Sequence, residues 1–272
     1  MDFTVIGGDL RSVYLCRRLL KDGHRVRCFG LELAEIPPAA QAPDLRTACK
    51  AAQCIVLPIP TAQGSLLRAP YSCAPISLDD LSAALPKNVP LFGSGSCGIP
   101  LRDLTKNEAF AMGNAALTAQ CAPQLLTAHS HRSLAGQSVL ILGAGRIGSL
   151  LTLQLQALGA QVTAAARSPV QRARCRALGA QAWDLAKLSA ILPHHKLLVN
   201  TVPAPILTPS LLSLLPKGAL LLELASLPGG YDPRTPQALG LTHIDGRGLP
   251  GKLLPASAGD LIAETIYEEL EI

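Results

Sequence analysis

No cysteine in this chain stands at a diagnostic spacing from another. Cys16, Cys28, Cys49, Cys54, Cys73, Cys97, Cys121 and Cys175 form no C-x-x-C and no paired pattern, which argues against a zinc site or a disulfide framework. The thiols are expected as small, buried or half-buried residues of a reducing compartment. Aromatic residues make up only 3% of the chain, and the basic residues behind its net charge of +5 are scattered in pairs without a polybasic run. Nucleic acid is therefore not an expected partner. No apolar run reaches the length of a membrane span and no signal peptide precedes Phe3, so a cytoplasmic placement is expected. The histidines lack acidic neighbours in a triad-like or metal-like pattern. His129 and His131 fall in a linker and His194-His195 in a loop after Pro193, where solvent exposure is expected, and no metal site is assigned.

What is present is apolar. Nearly half of the 272 residues are hydrophobic, enough for two α/β domains with a well-buried core. The segment from Gln137 to Arg167 organises the rest. The apolar run Ser138 to Leu142 enters Gly143-Ala144-Gly145-Arg146-Ile147-Gly148, a G-x-G-x-x-G followed by helical spacing, which is the context that gives this motif its meaning. The first glycine permits a tight turn, the second a close approach of backbone to pyrophosphate, and the third close packing of helix on strand. The next strand runs Gln161 to Ala166 and ends at Arg167-Ser168 without an acid. A carboxylate there would accept the ribose hydroxyls of NAD, whereas an arginine beside a hydroxyl binds a 2′-phosphate. The expected cofactor is NADP.

The N-terminus repeats this unit incompletely. Phe3 to Ile6 reads as a strand, Gly7-Gly8-Asp9 as its turn and Leu10 to Lys21 as a helix, but the glycines are adjacent and Asp9 stands where a phosphate would go. The expected fold class is α/β, with two doubly wound lobes, the second a Rossmann domain, and a cleft between them. The boundaries expected are an N-terminal substrate- or partner-binding domain over 1–104, a linker helix over 105–131, an NADP-binding domain over 132–255 and a C-terminal helix over 256–272 returning to the first domain. Thr105 to Glu108 reads as a capping box opening a helix from Lys106 to about Leu126, interrupted near Pro123. A helix is also expected near Leu185 to Leu192.

Cofactor contacts are expected from Gly143, Gly145, Arg146, Ile147 and Gly148, and from Arg167 and Ser168, assisted by at most one or two of Arg172, Arg174 and Arg176. The strand-end turns at Thr201-Val202-Pro203 and Ala225-Ser226 are expected to face the nicotinamide, being small and rigid. Ser94 and Ser96 follow a strand of the first domain. Gly248, Leu249 and Lys252 lie in a glycine-rich stretch before the last helix, which suits an anion. These five are the expected substrate residues. No catalytic base is assigned.

Taken in order, Ile6-Gly7-Gly8-Asp9 with Arg11, Thr118-Ala119, Gly143 to Gly148, Ala166-Arg167-Ser168, Asn200-Thr201-Val202-Pro203, Leu224-Ala225-Ser226 with Pro228-Gly229-Gly230 and Asp232, Gly248-Leu249-Pro250-Gly251-Lys252, and Ala258-Gly259 resemble the dipicolinate synthase A-subunit family over nearly the whole chain. The resemblance implies an NADP-dependent oxidoreductase that oxidises dihydrodipicolinate to dipicolinate, the pyridine-2,6-dicarboxylate of bacterial spores. It also implies a flavoprotein partner, the B subunit of the synthase, in the cytoplasm of the spore mother cell. Gln120-Cys121, Leu117, Glu223, Leu227 and Arg247 depart from the residues the family usually carries, Glu-Gly, Pro, Asp, a basic residue and Pro. Two alternatives stay open: a non-catalytic NADP-binding subunit that assembles with or regulates a flavoprotein, and a shikimate dehydrogenase-like reductase of another cyclic acid. A homo-oligomer is compatible with any of them.

Overall fold

A computed structural model describes all residues, 1–272. In chain order the elements are β1 (Asp2–Ile6), α1 (Leu10–Lys21), β2 (Arg25–Phe29), α2 (Leu45–Cys49), β3 (Cys54–Val56), a hairpin of β4 (Ala62–Gln63) and β5 (Leu66–Leu67), α3 (Leu78–Ala84), β6 (Leu91–Gly93), β7 (Arg102–Asp103) and α4 (Glu108–Ser130). They continue with β8 (Ser138–Leu142), α5 (Arg146–Ala157), β9 (Gln161–Ala166), α6 (Pro169–Ala177), β10 (Gln181–Asp184), α7 (Leu188–Ile191), β11 (Leu197–Asn200), α8 (Pro209–Leu212), β12 (Leu220–Glu223), α9 (Arg234–Ala238), β13 (Thr242–Asp245), α10 (Leu249–Leu253) and α11 (Pro255–Leu270). Two compact units result, Met1–Asn114 with Pro250–Ile272, and Ala115–Leu249.

The first unit holds a parallel sheet of order β2-β1-β3-β6-β7. Phe3, Thr4, Val5 and Ile6 are all buried, as befits a strand covered on both faces, and the one polar side chain among them, Thr4, donates its hydroxyl to the Ala48 carbonyl at 2.8 Å. Val13, Cys16 and Leu19 recur every third residue along α1 and enter the same core as Phe3, Phe92, Ile262 and Ile266. The C-terminal helix α11 lies against α1 so closely that a Cβ on Gly259 would stand 2.8 Å from the Leu15 amide nitrogen.

The second unit is a parallel sheet of order β10-β9-β8-β11-β12-β13. Numbered from β8, this is the 3-2-1-4-5-6 order of a Rossmann domain, and its strand order reverses between β8 and β11. Leu140, Leu142, Leu198 and Leu221 fill its core with Leu188, Leu212 and Tyr231. Ligands of such sheets bind outside the carboxyl strand ends at the reversal, which here means the turns after Leu142 and Asn200.

Several local expectations are corrected. The long helix begins at Glu108 and runs unbroken through Pro123 to Ser130. Its start is capped by Asn107, whose Oδ1 accepts from the Phe110 amide at 3.0 Å, so Thr105 to Glu108 is not the capping box. Thr105 instead donates its hydroxyl to Asp103 at 2.6 Å. The helix expected over Leu185 to Leu192 is a short α-helical turn, Leu188–Ile191, between two 3₁₀ turns. The glycine-rich stretch holds a helical element of its own before the last helix, since Leu249 to Leu253 form the helical turn α10. Strand β10, the hairpin and β7 carry too few apolar residues to be read from periodicity.

Candidate nucleotide site

The three glycines of the β8 turn serve different neighbours. A Cβ on Gly143, whose φ is +95°, would lie 2.4 Å from Thr201 Oγ1, and one on Gly148 would lie 2.2 Å from the Gly143 carbonyl oxygen. Those two are required by the protein's own packing. A Cβ on Gly145 would meet nothing within 4 Å, so the fold leaves its space free for a group from outside the chain. Gly145 is also the N-cap of α5 and offers no side-chain cap to the first-turn amides. The N–H groups that a helix presents at its first turn, with the positive end of its dipole, suit a pyrophosphate. Arg146 is exposed and Ile147 half-buried at the same turn.

Arg167 follows β9, exposed, and its guanidinium has no carboxylate partner. Ser168 caps α6 by accepting from the Gln171 amide. The acid at the end of the neighbouring β10, Asp184, is held by Arg172 at 2.9 Å. The same Arg172 Nη1 donates to the carbonyls of Ala166, at 2.8 Å, and of Arg167, at 2.5 Å. Arg172 is thus committed to fixing the turn and is not available to a phosphate, while Arg174 and Arg176 are exposed. The residues present fit a nicotinamide dinucleotide.

The turns after β11 and β12 are joined by a buried pair. Asn200 and Glu223 are neighbours in the parallel register, and Asn200 Nδ2 donates to Glu223 Oε1 at 2.8 Å. Glu223 also accepts from the amides of Ala225 at 2.9 Å and Gly230 at 2.8 Å. Asn200 in turn binds both backbone groups of Val202, at 3.0 and 3.1 Å. Thr201 donates its hydroxyl to the Leu142 carbonyl at 2.7 Å, tying its turn to the glycine turn. Burial pushes the Glu223 carboxyl above its ordinary range, and its three N–H donors with Arg247 offset only part of this. Val202 is half-buried, Pro203 and Ser226 are exposed and Ala225 is buried. From sequence, Asn200 stands out only as part of a family-like motif and Glu223 only as a departure from it; neither is expected as a cofactor or substrate contact, and their pairing is not foreseen. Their signal is a polar residue closing each of two apolar strands.

Gly248 in this unit has a φ of +69°, and Leu249 is buried. Tyr231 and His243 share a hydrogen bond of 2.9 Å, and Asp245 pairs with Arg247 at 2.8 Å. His195, expected in solvent, is buried with its Nδ1 on the Ile191 carbonyl at 2.8 Å. The reason is that the 3₁₀ turn at Leu192–His194 swings it inward while leaving His194 exposed.

In the first unit Ser94 is buried, its amide donating to Thr61 Oγ1 at 2.9 Å, while Ser96 and Lys252 are exposed. Asp9 caps α1 and Arg11 closes a fork on it, with Nε to Oδ1 at 2.9 Å and Nη2 to Oδ2 at 2.7 Å. Arg11 Nη2 also donates to the Ile59 carbonyl. Burial raises the Asp9 carboxyl, but the Arg11 hydrogen bonds and charge outweigh it and the net shift is downward. The α1 terminus is therefore already occupied by a carboxylate of the chain itself.

A Rossmann dinucleotide-binding domain of the dehydrogenase type, joined to a second parallel α/β unit, is the class these features define. Consistently, residues 109–225 match the NAD-binding domain of D-isomer specific 2-hydroxyacid dehydrogenases. Residues 2–112 match the N-terminal domain of the dipicolinate synthase A subunit. The chain is 26% identical over 290 residues to the A subunit of dipicolinate synthase from Bacillus subtilis (strain 168), covering 99% of this chain and 96% of that relative. Among solved structures it is similar to the dipicolinate synthase A subunit from Bacillus halodurans, with a TM-score of 0.85 at 24% identity over 99% of this chain and 97% of that one. The corresponding dipicolinate synthase structure from Bacillus subtilis gives a TM-score of 0.83 at 24% identity, over 100% of this chain and 96% of that one. From end to end, the chain resembles the dipicolinate synthase A-subunit family. No helix is long and apolar enough to cross a membrane.

Proposed function

We propose that this chain oxidises dihydrodipicolinate to pyridine-2,6-dicarboxylate with NADP as hydride acceptor, working beside a flavoprotein B subunit in the cytoplasm of a spore mother cell. The observation that carries the reading is the exposed, unpaired Arg167 at the end of β9, on a chain similar over its whole length to the A subunit of dipicolinate synthase. Bound NADP would take a hydride from the dihydropyridine ring, a proton would leave to solvent or a weak base, and the ring would become aromatic. Because aromaticity drives the step, the protein's task is orientation more than nucleophilic attack.

The chain's own residues divide that task. Gly145 and the first turn of α5 receive the pyrophosphate, and Arg167 with Ser168 receives the 2′-phosphate. The turns braced by Asn200 and Glu223 present Thr201, Val202, Pro203, Ala225 and Ser226 to the nicotinamide. Ser94, Ser96, Gly248, Leu249 and Lys252 serve the substrate.

Leu227, 75% exposed in the Ala225 to Gly230 turn, favours a second reading, an NADP-binding subunit whose apolar tip meets a flavoprotein and which performs no chemistry itself. One experiment separates the two. The purified chain, with and without the flavoprotein, is given dihydrodipicolinate and NADP, and pyridine dicarboxylate is followed by absorbance. Turnover that requires this chain supports the first reading. NADP binding without turnover in any mixture rejects it.

A further inference from the structure

Arg68 occupies a position that no other arginine of the chain shares. Arg11, Arg18, Arg172 and Arg247 are, like Arg68, removed in part or wholly from solvent. Each of them pairs with a carboxylate, at 2.7, 2.7, 2.9 and 2.8 Å respectively. Arg68 alone among them has no carboxylate partner. A half-buried guanidinium has given up part of its hydration, and that loss is ordinarily compensated by an anion.

Its backbone position is specific. Arg68 directly follows the β4–β5 hairpin, its amide donates to the Thr61 carbonyl at 2.9 Å, and its own carbonyl accepts from the Gly8 amide at 2.9 Å. It therefore bridges the turn after β1 and the turn after β3. In the order β2-β1-β3-β6-β7 those two strands flank the point where the winding reverses, which is where ligands of such sheets sit. The hairpin is pressed onto this point: a Cβ on Gly7 would stand 2.9 Å from Leu67 Cδ2 and 3.3 Å from the Arg68 carbonyl oxygen. Asp9 feels the Arg68 charge, but its carboxylate is already engaged by both arms of the Arg11 fork.

We infer that Arg68 is a binding residue for one carboxylate of the substrate, an inference that rests on the dicarboxylate reading above. Arg11 then acts as a positioning residue, since its bond to the Ile59 carbonyl keeps the β3 turn beside Arg68. A planar guanidinium binds a carboxylate through two parallel hydrogen bonds, which a lysine does not reproduce. Both backbone bonds of Arg68 survive any side-chain replacement except proline.

The test uses the full chain and pyridine-2,6-dicarboxylate, with pyridine-2-carboxylate for comparison, by calorimetry. Arg68→Met is expected to weaken the dicarboxylate by about 10- to 100-fold, to raise KM for dihydrodipicolinate with a smaller change in kcat, and to leave NADP affinity unchanged. Arg68→Lys should fall between Arg68→Met and wild type, and it guards against a folding defect in Arg68→Met. Unaltered dicarboxylate affinity in a folded Arg68→Met overturns the inference and leaves the proposed function standing. A wild-type chain that neither binds the dicarboxylate nor turns over the dihydro compound overturns both.

Discussion

Asn200 Nδ2 donates to Glu223 Oε1 over 2.8 Å across the parallel ends of β11 and β12, with both residues buried. This bond fastens two turns to one another, because each residue also holds the backbone of the turn that follows it. Asn200→Ala leaves a buried carboxylate short of a donor and the Val202 amide and carbonyl without their side-chain partner. A loss of about 1–3 kcal/mol in unfolding free energy is expected, read from urea midpoints. NADP affinity should fall with it; an unchanged affinity would mean that these turns do not face the cofactor.

Arg167→Asp should reverse the nucleotide preference. Removing a charge-assisted contact and placing a carboxylate near the 2′-phosphate is expected to weaken NADPH by about 100-fold or more while changing NADH little. Nucleotide fluorescence titrations check this, and equal losses for both nucleotides would contradict it.

The glycines of the turn predict opposite phenotypes. Gly148→Ala forces a methyl to 2.2 Å from a backbone oxygen, so a loss of about 1–3 kcal/mol or more in stability is expected. Gly145→Ala places its methyl in open space and should cost about 1 kcal/mol or less, as a poorer helix cap, yet abolish nucleotide binding. Thermal melts with and without NADP separate the two: the melt of Gly145→Ala should no longer respond to the nucleotide.

His195 gives a pH dependence. Burial lowers its pKa from the ordinary 6.5, so the folded protein binds fewer protons there than the unfolded chain. Its contribution is full above 6.5 and is lost as pH falls through the lower folded value. Denaturant midpoints should therefore decline on acidification below that point, and His195→Gln should flatten the decline. His243, also lowered by burial, acts in the same direction, so the flattening will be partial.

The second strand–turn–helix is legible because its signals are local. Four apolar residues, Val139 to Leu142, three spaced glycines and a helical repeat follow one another along the chain, and each glycine's need for space or φ is visible within the motif. The segment from Leu185 is located by sequence but its helix type is not, because an apolar repeat does not tell an α-helical turn from a 3₁₀ turn when the segment spans so few residues. His195 is misjudged for the same reason, since one turn of 3₁₀ geometry decides which of two adjacent histidines points inward. A place just after a strand brings out Ser96 and a glycine-rich stretch before the last helix brings out Lys252, whereas Arg68 passes unnoticed: nothing in its neighbours in sequence marks a charge left without a partner.

By itself the sequence determined the dinucleotide turn, the missing acid after β9 and the resemblance that runs through the ordered motifs. All of these depend on backbone freedom or side-chain charge within a few consecutive residues. Only the tertiary structure decided that Thr201 closes over Gly143, that Asn200 meets Glu223 and that Arg68 bridges Gly8 and Thr61. These pairs are assembled by strand register and by crossovers whose order is set by burying both faces of a parallel sheet, a constraint that acts through space and leaves no local trace along the chain.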